Sequence, residues 1–452
     1  MLLSRLQVIA ESVYPESQCG FRPGRGTVDM IFSLRQLQEK CREQQKPLHI
    51  AFVDQTKAFD LVNRRALFLI LQKVGCPPIL LKMITAFHEN MRSTVQFDGS
   101  ISEPFDVISG VKQGCVLAPT LFGSFFSILV RKATANVPSL AVNTRFDANL
   151  FKPSRLKART KVSTHYICET LYADDAAFCA HSPEDLQLIM NSFSQACTDF
   201  GLIISLKKTE ILSCFSAKAN ITVHDAILKN TDDFTYLGSS VSSVNSLDHE
   251  INCRLAKAST AFGRLTKRVF NNKRLTIKTK IRVYEACILS ILLYGSESWV
   301  TYRKQEQKLN SFHLRCLRQI LNISWRDKIT NTEVLSRSGS VPLTSTLKHR
   351  RLRWLGHVRR MPDDRLPKVI LYGEIVDAPR KIGRPNLRWK DVIKRDLRDF
   401  DINHSTFEPV AEDRSAWRSR LHTGLDHDID SYHLHQAAKR QRRHQRQHQQ
   451  QR

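Results

Sequence analysis

The sequence predicts an α+β fold followed by a helical region, and three observations carry that reading. Up to about residue 245, short apolar runs alternate with segments whose apolar residues recur at helical spacing. From about Asp248 the strand-like runs stop and helical periodicity continues alone. The third is charge: of a net +26, residues 1–245 carry +4 and residues 246–452 carry +22. With 42% hydrophobic residues the 452-residue chain can bury a real core. Length alone suggests about three domains. A basic surplus placed so unevenly points to a polyanion held mainly by the second half, the plain alternative being a solvated surface.

Leu48–Val53 is mostly apolar and predicts a strand ending at Asp54. Asn63 is placed to cap a helix with Leu67, Ile70, Leu71 and Val74 at helical spacing, and Gly75-Cys76-Pro77-Pro78 ends it. Thr94–Phe97 and Pro104–Ile108, turned through Asp98-Gly99, predict a hairpin. Leu117–Val130 predicts a buried helix begun near Pro119. Residues 131–167 resist assignment but hold the basic stretch Lys152, Arg155, Lys157, Arg159 and Lys161. Two apolar runs around Tyr172-Ala173-Asp174-Asp175 predict a hairpin with paired carboxylates. Ser182-Pro183-Glu184-Asp185 opens a helix to about Phe200, closed by Gly201, and short strands are predicted at Leu202–Ser205 and Thr209–Phe215.

Three apolar stripes follow: Ile251, Leu255, Ala258, Phe262 and Leu265; then Ile277, Ile281, Tyr284, Ile288 and Leu292; then Leu309, Phe312, Cys316 and Ile320. Arg264, Lys267, Arg268, Lys273, Arg274, Lys278, Lys280 and Arg282 give these helices basic faces suited to phosphate, or simply to water. From His433 the chain is rich in Gln, Arg and His, which predicts disorder. The expected divisions are 1–245, 246–330, 331–425 and a tail over 426–452.

Eleven cysteines lack a CxxC pair, which fits reduced thiols in an intracellular protein, in nucleus or cytoplasm. His313 and Cys316 have no second pair nearby, so His313 is expected to be an ordinary helix residue. Met1–Arg5 lacks the apolar core of a signal peptide, and Val116–Val130 and Ala286–Tyr294 are too short or interrupted to span a bilayer. No membrane partner is expected.

Adjacent carboxylates such as Asp174 and Asp175 repel and lose hydration unless a cation lies between them, and Mg²⁺ is the usual answer. By composition, an aromatic-x-Asp-Asp string arises in roughly one chain of this length in ten, so its weight comes from its neighbours. In order along the chain stand Ser17-Gln18-Cys19-Gly20-Phe21-Arg22-Pro23-Gly24-Arg25-Gly26-Thr27, then Ala51-Phe52-Val53-Asp54 through Phe59-Asp60, then Gly110-Val111-Lys112-Gln113-Gly114 through Pro119. Tyr172-Ala173-Asp174-Asp175, Gly201-Leu202-Ile203-Ile204 through Lys208-Thr209-Glu210, and Tyr236-Leu237-Gly238 follow. Together these strings resemble the reverse transcriptase of a non-LTR, LINE-type retrotransposon. Trp354-Leu355-Gly356-His357-Val358-Arg359-Arg360 and Gly383-Arg384-Pro385 are similar to the back end of such elements.

The resemblance implies a right-hand polymerase palm with partial fingers, then a helical thumb and a basic helical C-terminal region. It implies an RNA-directed DNA polymerase with an RNA template, a DNA primer and dNTP substrates. Asp54 and Asp174, 120 residues apart, would share two Mg²⁺ ions, with Mn²⁺ a substitute, and the Val53 carbonyl would complete the coordination. Asp175 would help to hold the site and its metals. Phe59 falls where a bulky residue blocks a ribose 2′-hydroxyl, its alternative being a core aromatic. Gln113 and Gly114 would lie beside the incoming nucleotide. Lys208 would protonate departing pyrophosphate, or be a solvated helix-end lysine. Trp354, Trp389 and Trp417 would stack bases or anchor helices, and Gly383-Arg384-Pro385 resembles the core of an AT-hook.

Several features depart from the family. An upstream endonuclease and the first finger motifs are missing from this sequence, Gln55 replaces an apolar or aromatic residue, and Ser205 replaces an Asn. These fit an N-terminally truncated copy. The competing expectation is therefore a catalytically impaired polymerase fold that only binds RNA or DNA.

Overall fold

The computed structural model describes residues 1–450 except 148, 153, 155, 157, 159, 377–382, 384 and 385. At its centre is a five-stranded mixed sheet built from β1 (Leu48–Val53), β2 (Glu169–Tyr172), β3 (Asp175–Ala180), β4 (Glu210–Cys214) and β5 (Lys229–Thr231). The strand order is β5-β4-β1-β3-β2. β1 runs antiparallel to β4 and β3, β2 and β3 form a hairpin, and β4 and β5 are parallel.

β1 is buried at every residue because both faces of the sheet are covered. Side chains alternate along a strand, so Ala51 and Val53 join one core while Leu48, Ile50 and Phe52 join the other. β3 repeats this, with Ala176, Phe178 and Ala180 on the first face and Ala177 and Cys179 on the second. The first face packs on the helices Ala118–Thr134 and Pro183–Phe200. Strands sealed on both sides read as continuous apolar runs, which is what made them legible.

The second face is closed by the helix Thr27–Glu43. This helix is buried nearly all round, although Arg35, Gln36, Gln38, Glu39 and Lys40 lie within it. Most of its polar groups find partners, as buried ones generally do, the Nε atoms of Arg35 and Arg42 being exceptions. Arg35 donates to Ser240 O at 2.7 Å, Gln38 to Ser242 O at 3.1 Å and Lys40 to Gly373 O at 2.5 Å, while Glu39 accepts from Trp389 N at 2.8 Å.

Local signals held where side chains close the ends of elements. The Asn63 side chain accepts from Ala66 N at 3.0 Å, Ser182 does the same for Asp185 N at 3.0 Å, and Gly201 ends its helix at φ 75°. The 94–108 hairpin turns at Asp98-Gly99, pairing Gln96–Phe97 with Ser100–Ile101 and Arg92–Ser93 with Phe105–Asp106. The strand predicted at Leu202–Ser205 is reduced to a single bridge between Gln55 and Ile204. Its chain turns instead, Lys208 N and Thr209 N both bonding to Ser205 O. Residues 131–167 contain paired strands, Leu140–Thr144 and Ser163–Ile167, to which Glu374–Ile375 adds a third. Arg155, Lys157 and Arg159 of the basic stretch, and Arg384 and Pro385, lie outside the described residues.

Beyond Asp248 the three stripes converge on one helical core. The helix Asp248–Leu265 runs on into a π-helical turn at Thr266–Phe270, and Ile277–Val283 into another at Tyr284–Leu289. Ile281, Tyr284, Ile288 and Leu292 are buried, but Ile277, in the first turn, is exposed. Of the basic residues on these helices, Lys280 is buried and the other seven named above are exposed. His313 bonds the Tyr284 hydroxyl at 2.8 Å inside that core. Trp354, Trp389 and Trp417 are buried anchors, the last two donating to Glu297 O and Leu352 O.

The disorder expected over 426–452 is replaced by helix, which runs from Arg414 to Gln450. Its docked start at Trp417 and Leu421 supplies a nucleus, and the Gln, Arg, Lys and Ala beyond it are good helix formers with no Gly or Pro after Gly424. All eleven cysteines are free thiols. Among the described residues no helix is long and apolar enough to cross a membrane.

Candidate active site

The site lies where β1 leaves the sheet beside the β2–β3 turn. The last register pair of β1 and β3 is Val53 with Ala176, so one step further Asp54 comes opposite Asp175, with Asp174 next along the turn. Tyr172 pairs with Asp175 across that turn, leaving Ala173 and Asp174 at its tip. Two segments 120 residues apart in sequence thus bring three carboxylates to one end of the sheet's inner strands.

The tip is gripped from outside the hairpin. Gln18 is fully buried, and its carboxamide donates to Ala173 O at 3.1 Å while accepting from Ala173 N at 2.8 Å. The same oxygen accepts from Gly20 N at 2.8 Å. Cys19 N bonds Leu171 O and Leu171 N bonds Ser17 O, both at 3.0 Å, so this segment runs beside β2. A Cβ on Gly20 would fall 2.1 Å from Ala173 N, so only glycine permits the approach. Ala173 itself sits at φ 57°, a conformation that alanine disfavours and that these contacts hold. Gln18 is one polar residue of a motif string, with no local pattern that marks its role, and only the fold shows what it binds.

Asp54 is fixed on its other side by the turn after Ile204. Its carbonyl accepts from Ser205 N at 2.9 Å, and its N–H lies 3.4 Å from Thr209 Oγ1. That turn carries Lys208, whose ammonium is 3.2 and 3.5 Å from the two Asp54 carboxylate oxygens. Phe59 lies in the helical turn after Asp54, half-buried and stacked on Phe122 with ring centroids 4.4 Å apart. It is therefore a packed aromatic with part of its surface open. Val111 N bonds Phe59 O at 2.9 Å, which ties the Gln113-Gly114 loop to the same turn. Gln113 and Gly114 are exposed, and Gly114 holds φ 95° with open space where a side chain would project.

Crowding shows in the electrostatics. Burial raises the Asp174 carboxyl above its ordinary value, and Asp54 adds to this while Lys208 opposes it. Asp175 is pushed up to about 6, first by burial, then by repulsion from Asp174 and Asp54. A divalent cation would reverse that repulsion, and the Lys208 ammonium already stands in for one at Asp54. Among the described residues no three His, Cys, Asp or Glu side chains converge as a ready-made metal cage. Mg²⁺ requires none, since it takes one or two carboxylates and fills its octahedron with water and substrate phosphate. Asp54, Asp174 and the Val53 carbonyl are hard oxygen donors, and they fit such an ion.

Residues 1–241 match the family described as "Reverse transcriptase (RNA-dependent DNA polymerase)". The chain belongs to that family, and with it to the α+β, right-hand polymerase class of fold. It is 25% identical over 276 residues to "Putative uncharacterized transposon-derived protein F52C9.6" of Caenorhabditis elegans, covering 57% of this chain and 96% of that one. It is 23% identical over 344 residues to the RNA-directed DNA polymerase from mobile element jockey of Drosophila funebris, covering 72% of this chain and 34% of the relative. A third relative, the Pol polyprotein from type-1 retrotransposable element R2 of Bradysia coprophila, is 28% identical over 200 residues, 44% of this chain and 20% of its own. The chain thus spans about a third of the length of the second relative and a fifth of the third. The names of the relatives agree with the non-LTR, LINE-type resemblance. A solved apo telomerase from Candida tropicalis aligns with 83% of this chain and 61% of its own at 12% identity and a TM-score of 0.38.

Proposed function

We propose that the chain is the RNA-directed DNA polymerase of a non-LTR retrotransposon, adding dNTPs to a DNA primer on an RNA template. The observation that carries this is the meeting of Asp54 with the Asp174-Asp175 turn at the end of the sheet's inner strands, beside Lys208. In this reading Asp54, Asp174 and the Val53 carbonyl hold two Mg²⁺ ions, or Mn²⁺ in their place. Such ions supply charge that activates a primer 3′-hydroxyl and stabilises departing pyrophosphate. The protein's own work is positioning. Asp175 steadies the turn, Phe59 sets its open edge against a 2′-hydroxyl, and Gln113 and Gly114 border the incoming nucleotide. Lys208, released from Asp54 when another cation binds there, is placed to give a proton to the leaving group. The exposed cations between Arg264 and Arg282 face the phosphates of template and primer. No membrane partner enters this reading.

A second reading, a polymerase fold that binds RNA or DNA without turnover, is favoured by the Lys208–Asp54 ion pair, which already neutralises the first aspartate. Primer extension on an RNA template with Mg²⁺ separates the two. Catalysis predicts that Asp174→Asn lowers incorporation by more than about a hundredfold while RNA binding stays. Equal incorporation by both proteins would refute catalysis at this site.

A further inference from the structure

Outside the polymerase site, the helices Leu343–Arg359 and Arg414–Gln450 pack side by side and line a cavity of about 790 Å³. His349, Arg353 and His357 recur every fourth residue along the first helix, with Arg360 just past its end. Arg414, Arg418 and His422 do the same along the second. The rows run in opposite directions. His349 meets His422 at one end, with ring centroids 6.2 Å apart, and Arg360 lies near Arg414 at the other, where burial first and then repulsion from Arg414 hold the Arg360 guanidinium below its ordinary value. A helix rises ~6 Å per four residues, so each row is a ladder of cationic or protonatable groups about one turn apart, the first roughly 16 Å long and the second roughly 12 Å.

Little opposes that charge. Glu297 is the one carboxylate in the lining, 3.9 Å from Arg353 and 3.7 Å from Arg350 outside it. Arg360 spends one donor on Ala411 O at 2.7 Å. Among the described residues, Arg414 and Arg418 have no ion-pair partner and both are exposed. The floor is apolar, formed by Trp354, Trp417 and Leu421, and the Trp354 indole N–H there has no partner. Two facing cationic ladders over an aromatic floor suit an extended chain of regularly spaced anions. A lone phosphate would engage one rung and leave the rest repelling each other.

We infer that this groove binds the phosphodiester backbone of a nucleic-acid strand, at a site separate from the polymerase centre and independent of whether that centre turns over. Trp354, Trp417 and Leu421 stay buried beneath that strand as the packed base of the groove.

The test is fluorescence anisotropy with the full chain, titrating labelled single-stranded RNA and DNA oligonucleotides across a range of KCl concentrations. Arg414→Ala/Arg418→Ala removes two exposed cations that have no ion-pair partner among the described residues. It is expected to weaken binding and to lower the magnitude of the log Kd against log salt slope by about 1.4, roughly 0.7 per lost contact. Arg5→Ala/Arg131→Ala removes equal charge from exposed positions elsewhere and is expected to leave that slope unchanged. The charge reversal Arg418→Glu is expected to weaken binding further than Arg418→Ala. A change on RNA alone, on DNA alone or on both identifies the strand that occupies the groove. An unchanged slope in the groove variant, or an equal fall in the control, overturns the proposal. Because binding is read directly, failure of primer extension does not bear on this result.

Discussion

Gln18 and Ala173 hold each other by two reciprocal hydrogen bonds, at 3.1 and 2.8 Å, across 155 residues of sequence. The turn that carries Asp174 is therefore shaped from outside its own hairpin. Gln18→Ala would leave the Ala173 N–H and C=O and the Gly20 N–H buried without partners, a loss of about 1–3 kcal/mol. Urea denaturation should show that loss, and primer extension should fall with it. Gln18→Glu keeps the acceptor but not the donor and is expected to lie between. Unaltered stability in Gln18→Ala would mean the turn holds its own shape.

Phe59→Val shortens a side chain that stacks on Phe122. We expect a stability loss of about 1–2 kcal/mol. If the open edge of the ring also screens nucleotides, ribonucleotide incorporation relative to deoxyribonucleotide should rise on the order of tenfold. A purely structural phenylalanine predicts the first change without the second.

Glu39 makes stability depend on pH. Burial pushes its carboxyl up to about 7, with Glu43 adding to the shift and Trp389 N, Lys40 and Arg42 opposing it. A carboxyl raised on folding contributes fully below its unfolded value near 4.5 and progressively less as pH rises through 7. Between about pH 5 and pH 8 the protein should lose on the order of 2 kcal/mol through this group. Glu39→Gln retains an acceptor for Trp389 N and should flatten that slope in denaturation measured across pH. An identical pH profile in the variant would assign the dependence to other groups.

Gly356 leaves room for a tryptophan. A Cβ there would lie 2.2 Å from Trp417 Nε1, which donates to Leu352 O at 3.2 Å. Gly356→Ala is expected to cost about 1–3 kcal/mol by overpacking. Thermal unfolding would register it, and an unshifted midpoint would show that the two helices can part without penalty.

How much of this was legible depended on whether a signal was local. β1 and β3 announced themselves because strands covered on both faces must be apolar throughout. The caps at Asn63 and Ser182 are contacts within one turn, so residue type sufficed. The helix Thr27–Glu43 gave no such stripe, because Arg35, Gln38, Glu39 and Lys40 are buried against distant backbone. Strand Leu140–Thr144 was missed because one of its partners, Glu374–Ile375, comes from far along the chain. At the candidate site the motif strings named Asp54, Asp174 and Lys208. That Lys208 would reach both Asp54 oxygens depends on the turn from Ser205 to Thr209, whose shape the two short strands expected on either side of it do not determine.

The sealing of that polar helix makes the two ends of the molecule interdependent. Glu39, Lys40 and Gln44 are answered by Trp389, Gly373 and Ile375, so the rear of the chain supplies part of the front's interior. A protein cut before Leu366 would leave charged groups facing an empty wall. Exchanging the rear segment between related elements would succeed only if these partners travelled with it. Here the C-terminal portion is no detachable appendage but a wall of the family domain itself.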